Sequence, residues 1–166
     1  MFRVGCQAGT YIRKLVHDIG EALTCGAHML ELRRTKAGPF NESTLCTLQD
    51  LKDAYYYFKE EQNEAELRKR ILPVEFAVSH LPKVWVLDTT VDSICHGATL
   101  ATPGISKVES DIQTGEDVAI LTLKGELVAV GKALLISKDM LGEKGLAVKS
   151  SQVFMEPGTY PKVQKA

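Results

Sequence analysis

The sequence predicts an α+β chain in two parts, a mixed sheet with helices followed by a small β barrel or sandwich. Three observations carry that prediction. Residues 1–34 read strand, turn, helix, strand. Residues 45–80 hold helical patterns, one of them almost wholly polar. From Lys83 onward, short apolar runs alternate with Gly- and Pro-marked turns at the spacing of an all-β module.

The first element alternates Phe2, Val4 and Cys6 with Arg3, Gly5 and Gln7, the period of a strand. Gly9 breaks it as a turn, and Thr10 is the expected N-cap of a helix. That helix places Ile12, Leu15, Val16, Ile19 and Leu23 on one side. Cys25-Gly26 ends it, and Leu30 and Leu32 resume strand alternation against Met29, Glu31 and Arg33. After Pro39-Phe40 comes a polar stretch, then a helix with the stripe Leu48, Leu51, Ala54, Tyr55 and Phe58. Consecutive helical residues point all round the axis, so Tyr55-Tyr56-Tyr57-Phe58 is expected to pack with one ring exposed rather than form a stacking platform. Lys59 to Arg70 predicts one or two solvated helices with a break near Asn63, and Ile71-Leu72-Pro73 introduces a short helix ending near His80.

Leu81-Pro82 is the candidate boundary, dividing residues 1–81 from 82–166, because proline disfavours helix in the residue before it. Beyond it, Val84–Leu87 is a strand, and Asp88-Thr89-Thr90 cap a short helix from Val91 to Cys95. Residues 118–123 and 126–131 form a hairpin around Lys124-Gly125. Ala133–Ile136, Leu146–Val148 and Val153-Phe154 add further short strands, and Gly131 marks a bulge or a close backbone approach.

Composition bounds the function. Apolar residues make up 45% and charged residues 25%, ordinary values for a folded protein, and a net charge of −1 gives no global attraction to nucleic acid. Residues 1–40, however, hold six Lys/Arg against three acids, an excess of +3 suited to a local phosphate-facing surface. Cys6, Cys25, Cys46 and Cys95 show no CxxC or Cys/His spacing, so no metal site is expected. They read as small buried or half-buried residues of a reducing compartment. With no signal peptide, lipidation signal or long apolar run, the expectation is a soluble, cytoplasmic protein with no membrane association.

Two features exceed what folding needs. Tyr11 and Arg13 flank Ile12 on the first helical turn, outside the apolar stripe, and an arginine there opposes the helix dipole. Arg33, Arg34 and Lys36 then cluster after the second strand. Taken by themselves, such residues also fit a solvated face with a packed tyrosine.

Gly9-Thr10-Tyr11-Ile12-Arg13, His28-Met29-x-Glu31-Leu32-Arg33-Arg34 and Gly38-Pro39-Phe40 closely resemble the late motifs of the TruB/dyskerin pseudouridine synthases, most of all the archaeal H/ACA type. The resemblance implies that Arg13 pairs with the catalytic aspartate and that Tyr11 and Leu32 line the uridine pocket, with Arg33, Arg34 and Lys36 toward RNA. It implies no metal and no cofactor. The partners it implies are RNA (an H/ACA guide RNA, tRNA or rRNA) and small H/ACA proteins.

The second half resembles a PUA domain, a pseudobarrel RNA-binding module, through Ile94-Cys-His-Gly97-Ala98, Pro103-Gly104-Ile105, Leu127–Ala133 and Tyr160-Pro161. In that family the region of Gly97 and Ala98 meets RNA, although turn geometry also explains the glycine. Residues 82–166 carry nine lysines against ten acids, so any RNA-binding face must come from clustering. Lys107, Lys132, Lys138 and Lys162 are the candidates.

These synthases carry their aspartate in an R-x-S-G-x-L-D-P type motif upstream of the Gly-Thr-Tyr-Ile-Arg string, and the 166 residues contain no such motif. Val86-Leu87-Asp88-Thr89 lacks its serine-glycine and its proline, and reads as a helix cap. The expectation is therefore the C-terminal portion of such an enzyme, inactive by itself. The alternatives are a non-catalytic PUA-type RNA-binding module and a stable α+β fragment whose basic cluster only solvates a surface.

Overall fold

The structure, a computed structural model, describes residues 1–162 and falls into two compact units, Met1–Thr35 and Lys36–Ala166. In the first, helix α1 spans Ile12–Ala22. Its N-cap is Tyr11, not the expected Thr10, and no side chain caps it. Thr10 instead closes the preceding turn, its N–H donating to the Gln7 carbonyl at 3.3 Å with Gly9 at φ 84°. After α1 the chain doubles back over Gly20, whose carbonyl accepts from the Cys25 and Gly26 N–H groups at 3.2 and 3.1 Å. A methyl group at Gly20 would overlap the backbone of Gly26 and Ala27, so this close return requires glycine.

The expected strands at 2–6 and 30–32 are not formed as strands: both segments are unpaired. Alternation confers strand character only where a partner supplies the ladder. Neither segment finds one among the described residues, and Phe2, Val4, Leu30 and Leu32 are exposed.

The second unit opens with a hairpin of β1 (Lys36–Ala37) and β2 (Phe40–Asn41), turned at Gly38 with φ 56°. Helix α2 (Leu48–Glu61) begins with a complete capping box. The Asp50 N–H donates to the Thr47 hydroxyl at 3.1 Å, and the Thr47 N–H donates to the Asp50 carboxylate at 2.9 Å. That bonding holds the Asp50 carboxyl below its ordinary range. Gln62 in the left-handed conformation ends α2, and Asn63 accepts from the Ala65 N–H at the start of α3 (Ala65–Arg70), so the expected break near Asn63 is present. Pro73 then starts α4 (Val74–Ala77). Phe76 of α4 meets Phe40 at 5.4 Å between ring centroids. The tyrosines of α2 depart from expectation. Tyr55, Tyr56 and Tyr57 are all exposed, because α3 is the main helical neighbour and covers only part of the α2 surface.

The remaining elements are β3 (Lys83–Val86), α5 (Asp88–Cys95), β4 (Leu100–Ala101), β5 (Ile105–Val108), β6 (Asp117–Thr122), β7 (Leu127–Ala133) and β8 (Leu146–Val153). They form a six-stranded mixed sheet in the order β4-β8-β7-β6-β3-β5, with β3 and β6 parallel and the other pairs antiparallel. Its core is Val84, Val86, Val91, Ile94, Leu100, Ile112, Ile120, Val128, Met140 and Val148, with α5 laid against β7 and β8. Helix α4 is tied to this sheet. Val78 packs with Ala119, Leu121 and Leu127, and Glu75 accepts the Leu127 N–H at 3.0 Å.

Several expected boundaries shift. Helix α5 starts at Asp88 with Leu87 as N-cap, so Asp88 lies in the first turn, where its charge suits the helix dipole, rather than capping the helix. Ala133 ends β7, and 134–136 form a bend rather than a strand. Leu146–Val153 is one continuous strand rather than two. Gly131 sits at a register shift between β7 and β8, where an added Cβ would lie 2.5 Å from the Lys149 carbonyl oxygen. The expected bulge and the expected close approach therefore coincide. Of the cysteines only Cys95 is buried; Cys6, Cys25 and Cys46 are exposed, because the segments holding them pack against little of the chain. Burial raises the Cys95 thiol above its ordinary value.

Candidate nucleic-acid interface

In the first unit, α1 presents Tyr11 and Arg13 to solvent. Tyr11 is 80% exposed, and Arg13 makes no hydrogen bond or ion pair among the described residues. The neighbouring cation is already engaged: Lys14 meets Asp18 at 2.6 Å and holds that carboxyl below its ordinary range. Arg13 is thus the basic group of this turn left available for another acceptor. Beyond the fold over Gly20, Leu32 is 59% exposed, and Arg33 and Arg34 are exposed. Neither Tyr11 nor Leu32 contributes to a core, and they share this with Phe2, Leu23 and Leu30 of the same unit, which are exposed too. Lys36 belongs to the second unit, exposed on β1.

In the second unit, Gly97 and Ala98 form the turn leaving α5. Gly97 has φ 83° and open space where a Cβ would stand, so a partner could approach its backbone closely. The Gly97 and Ala98 N–H groups are spent on the Ile94 and Ser93 carbonyls at 2.8 and 3.1 Å, and the Ala98 carbonyl accepts the Ser150 hydroxyl at 2.8 Å. The turn is therefore rigidly held against β8. His96 stands beside it with Nδ1 2.8 Å from the Asp92 carbonyl oxygen. Asp92 is buried and accepts the Gly158 N–H at 3.0 Å, fastening the chain after β8 to α5.

The lysines do not form one patch. Lys107 lies on edge strand β5 with Nζ 4.5 Å from the Trp85 ring centroid. Lys132 on β7 is paired with Asp117 at 2.9 Å. Lys138 and Lys162 are exposed elsewhere. Strand pairing adds a residue that sequence reading did not single out: Lys149 of β8 stands directly across from Lys132, and both are exposed. Only the β7–β8 register reveals that neighbour, since the two are 17 positions apart in sequence.

Residues 156–162 are held by sequence-distant anchors. The Tyr160 hydroxyl donates to Glu126 at 2.6 Å, and the Thr122 hydroxyl donates to the same carboxylate at 3.0 Å. These bonds hold the Glu126 carboxyl below its ordinary range, and Lys124 lies 5.1 Å from the Tyr160 ring centroid. No helix among the described residues is long and apolar enough to cross a membrane.

Residues 13–79 match the tRNA pseudouridylate synthase B C-terminal domain family, and residues 82–154 match the PUA domain family. Among curated proteins, the chain is 60% identical over 163 residues to a probable tRNA pseudouridine synthase B of Methanosarcina barkeri, covering 98% of this chain and 48% of that protein. It is 56% identical over 164 residues to the protein of the same description from Methanothermobacter thermautotrophicus, covering 98% and 51%. The chain thus spans about half the length of the curated relatives it matches. Among solved structures, it is similar to the archaeal box H/ACA sRNP Nop10-Cbf5 complex, with TM-score 0.88 and 53% identity over 95% of this chain and 51% of that one. An H/ACA RNP bound to a substrate RNA containing 2'-deoxyuridine matches with TM-score 0.84 and 57% identity over 93% and 50%. By both of its matched domains, this chain belongs to the archaeal-type TruB/dyskerin family of pseudouridine synthases, of which it carries the C-terminal synthase segment and the PUA domain.

Proposed function

We propose that this chain supplies the arginine wall of a uridine pocket and the RNA-docking module of an RNA pseudouridine synthase. Its targets are uridines in tRNA or rRNA, within an H/ACA-type assembly of guide RNA and small proteins. The observation that carries this reading is that Tyr11, Arg13 and Leu32, the three residues the motif singles out, are all exposed, and Arg13 has no acceptor among the described residues, in a chain 60% identical to a probable tRNA pseudouridine synthase B. The residues divided at Leu81-Pro82 then act as a synthase segment (1–81) and an RNA-binding PUA domain (82–166).

The chemistry assigns each residue a task. A target base must leave its stack to be modified, and a flipped ring needs an aromatic or apolar wall, which Tyr11 and Leu32 provide. A guanidinium beside a carboxylate favours the ionised form and fixes its orientation through two parallel hydrogen bonds. Arg13, with no acceptor of its own, is suited to hold the aspartate that attacks the ribose–base linkage. That aspartate belongs to the R-x-S-G-x-L-D-P type motif, which these residues do not contain, so the chain by itself is inactive. Arg33, Arg34 and Lys36 in the synthase segment, and Gly97, Ala98, Lys107 and Lys132 in the PUA domain, contact RNA backbone.

The test is binding of a hairpin RNA with a short single-stranded 3′ tail, compared with the same hairpin made blunt. Tailed RNA should bind more tightly, with affinity falling as salt rises, because lysine–phosphate contacts release counterions. Equal binding of the blunt hairpin, or affinity indifferent to salt, would overturn the docking role.

A further inference from the structure

Helix α4 is only four residues long, yet it and its flanking residues hold two elements far apart in sequence. One is the β1–β2 hairpin. The Phe40 and Phe76 rings meet at 5.4 Å between centroids, tilted by 58°. The His80 imidazole lies over the hairpin turn, with Cε1 3.6 Å from where a Cβ at Gly38 would stand. The other is the six-stranded sheet. Val78 is buried and packs with Ala119, Leu121 and Leu127, with Leu81 and Trp85 against the same cluster. The Glu75 carboxylate accepts the Leu127 N–H of β7 at 3.0 Å, across 52 positions of sequence.

The residues after α4 add to the hold on the sheet. The Pro82 carbonyl accepts the Ala119 N–H at 2.9 Å, and the Lys83 N–H donates to the Glu109 carboxylate at 3.0 Å. Lys83 Nζ reaches back to the Ser79 and Leu81 carbonyls at 3.3 and 3.1 Å. Linkers between mobile domains are exposed and make few contacts. Here Val78 is buried, Phe76, Leu81 and Pro82 are half-buried, and backbone bonds tie Pro82 and Lys83 to the sheet. Leu81-Pro82 therefore marks a change of sequence texture and not a hinge, and the compact unit Lys36–Ala166 runs through it.

The hairpin carries the exposed Lys36, which follows Arg33-Arg34-Thr35 in sequence. Two contact points on one rigid body bind a shared ligand more tightly than two on a loose tether. The second contact forms at high effective concentration, and nothing has to be ordered first.

We propose that α4 is a brace fixing the Lys36 hairpin to the PUA sheet, with Glu75 and the Phe40–Phe76 pair as its positioning contacts. The hairpin and the PUA domain then bind one RNA as a single preorganised surface. The identity of that ligand rests on the function proposed above.

The test measures affinity of the full chain for the tailed hairpin RNA and for its single-stranded tail alone. Glu75→Ala removes the acceptor of the Leu127 N–H, and Phe40→Ala removes the ring contact at the other end of the brace. Each should weaken the tailed RNA about three- to tenfold through lost effective concentration and leave the tail alone within about twofold. Because the two contacts act in series, the double variant should lose no more than the worse single one. Glu75→Gln keeps an acceptor oxygen and should restore binding. Residual dipolar couplings test the brace without RNA: Ala37, Phe40 and Asn41 amides should share one alignment tensor with β6 and β7 in the parent, and depart from it in Phe40→Ala. Phe40 is 41% exposed and outside the sheet core, so this variant keeps the test open if Glu75→Ala folds poorly. Two tensors in the parent overturn the proposal. So do equal weakening of both RNAs, weakening of neither, or additive losses in the double variant. One shared tensor in a chain that binds neither RNA would leave the brace standing and refute the RNA function instead.

Discussion

Gly131→Ala tests the packing that holds the β7–β8 face in place. Gly131 has ordinary φ, so the glycine is not there for backbone freedom. It is there because the added Cβ would stand 2.5 Å from the Lys149 carbonyl oxygen and 2.8 Å from Val148 Cγ1. Real Cβ contacts lie near 3.4 Å or beyond, so β7 and β8 must separate by most of an ångström at the bulge. Overpacking of this kind costs about 1–3 kcal/mol. Replacing glycine within a strand returns about 0.5–1 kcal/mol. The net is a loss of about 1–2 kcal/mol, which for a unit of this size lowers Tm by about 4–8 °C. Thermal unfolding followed by circular dichroism reads it directly. Lys132→Ala, the exposed next residue on the same strand, is the control and should stay within about 0.5 kcal/mol of the parent. A Gly131→Ala chain with unchanged Tm would refute the argument that close strand approach selects this glycine.

Four further outcomes follow from other parts of the molecule. Ile94→Ala removes a fully buried side chain from the α5 face of the core and should cost about 2–5 kcal/mol in urea unfolding. Tyr160→Phe removes the donor to Glu126 and should reduce acid lability. The Glu126 carboxyl is lowered in the folded state, so its stabilisation is full above its unfolded value and is lost as pH falls through the folded one. The parent should thus lose stability below about pH 4.5, and Tyr160→Phe should lose less over the same range. Arg34→Ala should weaken RNA binding modestly in a filter or fluorescence titration and leave the single-turnover rate at saturating RNA unchanged. In an enzyme completed with the aspartate-bearing segment, Arg13→Lys should restore little activity, because an ammonium cannot reproduce a planar two-pronged pairing.

Much of the fold was legible because local rules and tertiary packing agree in those stretches. The apolar stripe of α2 and the break near Asn63 were readable from spacing and polarity, and the capping at Thr47 and Asn63 agrees with them. The Lys124-Gly125 hairpin follows from a glycine at φ 88° between two apolar runs. The failures share a cause. Phe2–Cys6 and Leu30–Leu32 alternate as strands do, but alternation records the face a segment can bury and does not supply a partner. The exposed tyrosines of α2 and the exposed Cys6, Cys25 and Cys46 carry the same lesson, since burial is a property of neighbours rather than of residue type. Of the candidate interface, the motif residues were visible as excess: Arg13 opposes the helix dipole, and Tyr11 lies off the apolar stripe. The Lys132–Lys149 neighbourhood was invisible, because it depends on the register of β7 against β8.

The central claim is that Arg13 serves a carboxylate that the rest of the enzyme provides, and single-turnover pseudouridine formation tests it most directly. Chemical labelling and primer extension would read the modified uridine in guide-directed RNA. Three samples are compared: the chain alone, the chain completed with the segment carrying the R-x-S-G-x-L-D-P type motif, and the completed enzyme bearing Arg13→Ala. The account predicts no product from the first and full conversion from the second. From the third it predicts a rate lower by at least two orders of magnitude, about 3 kcal/mol of transition-state stabilisation, with RNA affinity nearly unchanged. Product from the chain alone, or a near-normal rate from Arg13→Ala in the completed enzyme, would contradict it.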